Sequence, residues 1–109
     1  MPAITENVIF DTLAREWRCK WSEADEKASL SAAQAALDAI LPSIKAIDGA
    51  KVQRVVCGGC LDFKVIISMP ADKFGKLEEA AIEEGFLSSL RAVPGLSAVE
   101  TQTYTLMSM

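Results

Sequence analysis

Two cysteines bracket a glycine pair at Cys57-Gly58-Gly59-Cys60, and a third, Cys19, stands in an earlier apolar stretch. A Gly-Gly connection between β-branched runs predicts a two-residue hairpin turn, because the primed turns that match strand twist need positive φ. In that register Cys57 and Cys60 sit directly opposite each other on one face of the ribbon, with Cβ atoms about 4.5–5.5 Å apart. If the strand bearing Cys19 pairs with the second arm of the hairpin, all three thiols meet on one face at one end of a sheet. Three thiolates there would take a soft metal such as Zn²⁺ or Cu(I), or Cys57 and Cys60 would form a disulfide that Cys19 resolves. Arg15, Arg18 and Lys20 nearby favour the thiolate form. A single C-x-x-C is a weaker signal than a pair of them, and this one opens no helix; cysteine is also a common small buried hydrophobe. Two structural cysteines around a tight turn is therefore the competing reading.

The chain contains no histidine. Ser-His-Asp and Cys-His nucleophilic sites, histidine-ligated haem and mixed Cys/His zinc sites are thereby excluded, and acid–base work falls to Asp, Glu, Lys, Tyr or Cys. No glycine-rich phosphate loop appears, so apart from a metal at the cysteines no cofactor is expected. The net charge of −4 and the pI near 4.8 lack the basic stripe of a nucleic-acid binder. No apolar run reaches the roughly 18 residues of a membrane span, and the N-terminus does not resemble a signal peptide. An odd number of cysteines fits free thiols in a reducing compartment, and the expected location is cytoplasmic. With 109 residues, half of them hydrophobic and 24% charged, the expectation is one domain, residues 1–109, with its own core.

The elements that must position these residues follow from periodicity. Val8–Trp21 reads as a long strand covered on both faces over part of its length, since neither parity is purely polar. Ser22 is an N-cap candidate for a helix with acidic residues in its first turn, Ser29 and Ser31 being alternative starts. Pro42 should end or kink that helix before Asp48-Gly49 closes it. The hairpin arms follow, Val52 to Met69. Pro70-Ala71-Asp72 opens a second helical segment, weakened at Gly75 and Gly85, with a break expected near Gly85 and a stop at Pro94-Gly95. Ser97–Met107 is the last strand. The order β-α-β-β-α-β is the ferredoxin-like α+β arrangement, with two helices on one face of a four-stranded antiparallel sheet and the first strand between the third and fourth. Leu61, Phe63, Val65 and Ile67 form an apolar row that should face the helices.

By parity the helix-free face collects Ile9, Leu13, Trp17 and Ile66 beside Asp11, Arg15, Asp62, Lys64, Glu100, Gln102 and Tyr104. So large an apolar surface calls for a cover, and a second copy of the same sheet in a homodimer supplies one by two-fold symmetry. On this mixed face Asp11, Arg15, Trp17, Lys64 and Tyr104 are the candidate contacts for a small organic ligand. Each has a plainer reading: the tryptophans as core or interface anchors, Tyr104 in a cross-strand hydrogen bond.

The order of elements resembles the dimeric α/β-barrel superfamily. The segment FKVIISMPADKF…FLSSLRAVPGLSAVETQTYTL, Phe63–Leu106, is similar to the second half of the effector-binding domain of the Lrp/AsnC regulators. There too an apolar strand runs into a helix, a Pro-Gly turn and a strand beginning near a Val-Glu-Thr step. Those regulators carry an N-terminal helix-turn-helix that this chain has no room for, and their effector loops are not marked by CGGC. The resemblance implies a dimer with a small-molecule cavity between sheet and helices or at the interface, as in the barrel monooxygenases, isomerases and sensors. Three functions stay open at this point: a ligand-binding barrel, which as an enzyme would be a cofactor-free monooxygenase or isomerase; a thiol-based metal or redox protein; and a structural or assembly module without a ligand.

Overall fold

Apolar rows that coincide across paired strands organise this chain. The computed structural model describes residues 1–109. A short hairpin of β1 (Ala3–Thr5) and β2 (Val8–Ile9) precedes β3 (Thr12–Lys20). Then come α1 (Ala24–Lys45), β4 (Lys51–Val56) and β5 (Asp62–Pro70). A single 3-10 turn at Ala71–Lys73 leads into α2 (Gly75–Glu79) and α3 (Glu83–Arg91), and β6 (Ser97–Leu106) ends the fold. The main sheet is antiparallel in the order β4-β5-β3-β6, so the first long strand lies between the third and the fourth, as expected.

Phe63, Val65, Ile67 and Met69 face the helices and are essentially unexposed. Burying each such side chain is worth about 1.5–3 kcal/mol relative to exposure. Trp17 lies directly opposite Val65 and Cys19 opposite Phe63. Residues directly opposite in an antiparallel pair share a face, so Leu13, Arg15, Trp17, Cys19 and Trp21 also look toward the helices. This corrects the sequence expectation, which put Leu13, Arg15 and Trp17 on the free face. A strand with two semi-apolar parities cannot announce its own orientation; the β5 row to which it pairs decides it. The free face carries Ala14, Glu16, Arg18 and Lys20 instead, with Asp62, Lys64 and Ile66 on β5 and Glu100, Gln102 and Tyr104 on β6. It is laced by Arg18–Glu100 at 2.7 Å, Lys20–Asp62 and the Tyr104 hydroxyl donating to Glu16 Oε1 at 3.3 Å.

Four local expectations are also revised. The long first strand is interrupted: Val8 and Ile9 leave it for the N-terminal hairpin. The β4–β5 turn is longer than Gly58-Gly59, because Val56 pairs with Phe63 and the Cys57 N–H donates to the Asp62 carbonyl. Positive φ falls on Leu61 at 61°, not on either glycine of the pair. Leu61 packs against the core while its carbonyl accepts the Trp21 N–H at 2.9 Å. Moving the pairing by two residues preserves parity, so the apolar row of β5 still faces inward. Pro42 stays inside α1, and the break in the second helical segment comes at Ala81 (φ 53°) rather than at Gly85. Asp25, Glu26 and Lys27 have φ of 52°, 57° and 65°, so the right-handed part of α1 begins after them. Ser29 Oγ accepts the Ser22 N–H at 2.9 Å and ties this start to the end of β3. Gly95, at φ 91°, makes the tight turn into β6.

Candidate functional site

The break at Ala81 opens a gap between the helices and β3. A 330 Å³ cavity lies there, walled by Phe74, Leu77 and Ile82 and floored by Arg15, Trp17 and Glu83. Glu83 is in the first turn of α3, where the helix dipole favours a carboxylate, and it reaches down to the sheet. Its Oε1 accepts from Arg15 Nε at 2.6 Å, Trp17 Nε1 at 2.7 Å and Thr101 Oγ1 at 3.1 Å, and its Oε2 accepts from Arg15 Nη2 at 2.9 Å. Arg15 Nη1 donates to Thr103 Oγ1 at 2.6 Å. The bidentate Arg15 bond, with smaller help from Trp17 and Thr101, holds the Glu83 carboxyl below the usual glutamate range against the opposing effect of burial. The same bond raises Arg15 further. Trp17 is wholly buried and its ring meets Phe86 of α3 at 5.3 Å between centroids, tilted by 42°.

This arrangement is a preorganised polar floor under an apolar cup. A guanidinium has five N–H donors, and three of Arg15's are committed to Glu83 and Thr103. Two remain to meet a hydroxyl or carbonyl oxygen of a ligand. The lining holds one cation against Glu78, Glu83 and Glu84, so it suits an uncharged ligand over an anionic one.

Of the five ligand contacts expected from the sequence, the structure brings together Arg15 and Trp17. Asp11 lies between β2 and β3, exposed, with its carboxylate accepting the Thr12 hydroxyl at 2.9 Å and its carbonyl accepting the Ala71 N–H. Lys64 and Tyr104 are on the opposite face of the sheet. Tyr104 is pushed up by burial and by the neighbouring Glu16 charge. The three thiols are likewise divided. Cys57 and Cys60 are in disulfide contact in the turn, whereas Cys19 is buried beneath the helices, its thiol pushed up to about 11 by burial and by Asp62. No cluster of three or more Cys, Asp or Glu side chains is placed to hold a metal ion; beside the cysteine pair, Asp62 Oδ2 lies 3.2 Å from Cys60 Sγ.

Glu83, the hub of the site, was not among the sequence candidates. It reads as one more acid at a helix start, and Gly85, which signalled a break in this segment, lies four residues beyond the break at Ala81. Thr101 and Thr103 had a weak signal, being the inward parity of an alternating strand.

No protein-family model matches the sequence, and no curated protein matches it. Solved structures do match the fold. Rv0793 from Mycobacterium tuberculosis is 17% identical with a TM-score of 0.62, over 90% of this chain and 97% of that one. SnoaB, a cofactor-independent oxygenase from Streptomyces nogalater, is 14% identical with a TM-score of 0.61, over 91% and 96%. A dimeric ferredoxin-like protein of unknown function from Thermobifida fusca is 17% identical with a TM-score of 0.53, over 94% and 99%. Likeness at these identities defines the class, a ferredoxin-like α+β fold of the kind seen in these proteins, and goes no further. No helix is long and apolar enough to cross a membrane.

Proposed function

We propose that this chain binds a small, uncharged, partly aromatic molecule in the cavity between β3 and the α2–α3 break, and does so as a homodimer. The observation that carries this reading is the Arg15–Glu83–Trp17 floor under an apolar cup. Its 330 Å³ falls within the range of about 300–1,000 Å³ typical of small-molecule sites. Arg15 and Trp17 are the contacts retained from the sequence, joined by Phe74, Leu77 and Ile82. The element order rests on the ferredoxin-like neighbours, and the resemblance of Phe63–Leu106 to Lrp/AsnC effector domains carries no part of this reading. The dimer is supported by the dimeric neighbour.

The chemistry that suits such a site is cofactor-free oxygenation. The likeness to SnoaB supports it, as does an apolar cup of Phe74, Leu77 and Ile82 that suits an aromatic ring. Without a cofactor the substrate must itself supply the electrons. A phenol that becomes a quinone satisfies this: one ring C–H is replaced by C=O using one oxygen atom of dioxygen, and the other oxygen leaves as water with the two hydrogens. Arg15 would hold the phenolic oxygen through its two uncommitted N–H groups.

Calorimetry with a panel of polycyclic phenols, beside aliphatic carboxylic acids of equal size, tests the binding. An oxygen electrode tests turnover. Phenol binding that is lost in Arg15→Met and weakened in Phe74→Ala supports the reading. Preference for the acids, or binding indifferent to both substitutions, overturns it. Sedimentation equilibrium of the full chain tests the dimer, which a monomer at high micromolar concentration would refute.

A further inference from the structure

The motif that the cavity leaves unused is Cys57-Gly58-Gly59-Cys60, in the turn beyond the Lys20 end of β3. The two Cα atoms are 5.6 Å apart, well inside the span a disulfide bridges. Cys60 is exposed and Cys57 half-buried. A Cβ added at Gly58 or Gly59 would meet nothing within 4 Å, so no other part of the chain packs over the turn at these two positions. The environments of the two differ. The Cys60 backbone N–H points at Cys57 Sγ from 3.1 Å, a donor that stabilises a thiolate there. Cys60 Sγ lies 3.2 Å from Asp62 Oδ2, and a neighbouring carboxylate disfavours a second negative charge. Lys20 bonds both the Asp62 carboxylate and the Cys60 carbonyl, the latter at 2.8 Å, and so holds this corner in place. Cys19 cannot stand in for either, being buried on the helix side.

We propose that Cys57 and Cys60 form a dithiol–disulfide couple that exchanges with low-molecular-weight disulfides in solution, Cys57 being the attacking thiolate. In the oxidising direction Cys57 Sγ attacks one sulfur of R–S–S–R and displaces RS⁻, leaving a mixed disulfide. Cys60 gives its proton to solvent and attacks Cys57 Sγ, displacing the second RS⁻. Two protein thiols are oxidised to one disulfide and the small disulfide is reduced to two thiols. The reverse sequence reduces the turn. The open, exposed turn distinguishes this pair from cysteines that merely fill a core.

The test uses the reduced full chain in buffers of glutathione and glutathione disulfide, with acid quenching, alkylation and mass spectrometry of the peptides. The expected product is an intramolecular Cys57–Cys60 disulfide with Cys19 alkylated throughout. Cys60→Ser should stop at a glutathione adduct on Cys57, and Cys57→Ser should form its adduct on Cys60 more slowly. A thiol whose pKa is one unit lower reacts about threefold faster below that pKa, after allowance for its weaker nucleophilicity. Cys19→Ser should behave as the parent. Free thiols at Cys57 and Cys60 in the most oxidising buffer, with circular dichroism showing a folded protein, would overturn the proposal. So would adducts appearing on Cys19, or equal rates for the two single variants. Ligand binding in the cavity does not enter any of these readouts.

Discussion

Replacing Glu83 by alanine removes an acceptor on which three side chains from two strands converge, and the cost can be worked from the contacts. Trp17 is wholly buried, so its indole N–H, bonded to Glu83 Oε1 at 2.7 Å, would lose its protein acceptor. An orphaned buried donor costs about 1–3 kcal/mol. The Arg15–Glu83 pair has side chains 27% and 31% exposed; screened by solvent, it adds about 1 kcal/mol at most. Glu83→Ala should therefore lower stability by about 1–4 kcal/mol. Glu83→Gln keeps a carbonyl oxygen for Trp17 but turns an amide toward the guanidinium, which limits the loss to about 1 kcal/mol. Urea unfolding followed by tryptophan fluorescence and by far-ultraviolet circular dichroism measures both. The reasoning fails if Glu83→Ala stays within about 0.5 kcal/mol of the parent, the usual range for a surface change, or if glutamine costs as much as alanine.

Glu83 is also held below its ordinary pKa in the folded state. The stability it contributes is fully present above the ordinary glutamate value of about 4.3 and is lost as pH falls through the lower folded value; Glu83→Gln should flatten the acid limb of the stability profile. At Gly95 (φ 91°) an added Cβ would lie 3.0 Å from Ser29 Cβ, so Gly95→Ala should cost more than about 1 kcal/mol by thermal unfolding. Gly58→Ala, in open space without positive φ, should be neutral or stabilise by up to about 1 kcal/mol. The Cys57–Cys60 link closes a very short loop. Reduction should lower stability by at most about 2 kcal/mol, and the double variant Cys57→Ser/Cys60→Ser should show no difference between reducing and oxidising buffers.

The order of elements was legible in the sequence because each is a local pattern: the inward row of β5, the alternation of Ser97–Leu106, the turn at Pro94-Gly95. The strand order followed, since few connections suit β-α-β-β-α-β. Arg15 and Trp17 were recognised as residues of interest, and the cysteine pair as the place to look for thiol chemistry. What local pattern could not decide was the side of the sheet on which β3 presents Trp17, because both its parities carry apolar groups. Pairing with β5 settled it: a strand placed with Trp17 against water would forfeit the burial of the largest side chain in the core. The same choice separated Cys19 from Cys57 and Cys60, put Lys64 and Tyr104 across the sheet from Arg15, and brought Glu83 under the helix break to complete a site that no spacing in the chain foreshadows. Contacts between residues 68 positions apart, such as Arg15 with Glu83, leave no periodic trace in a sequence; they exist only once the sheet and the helices have closed on each other.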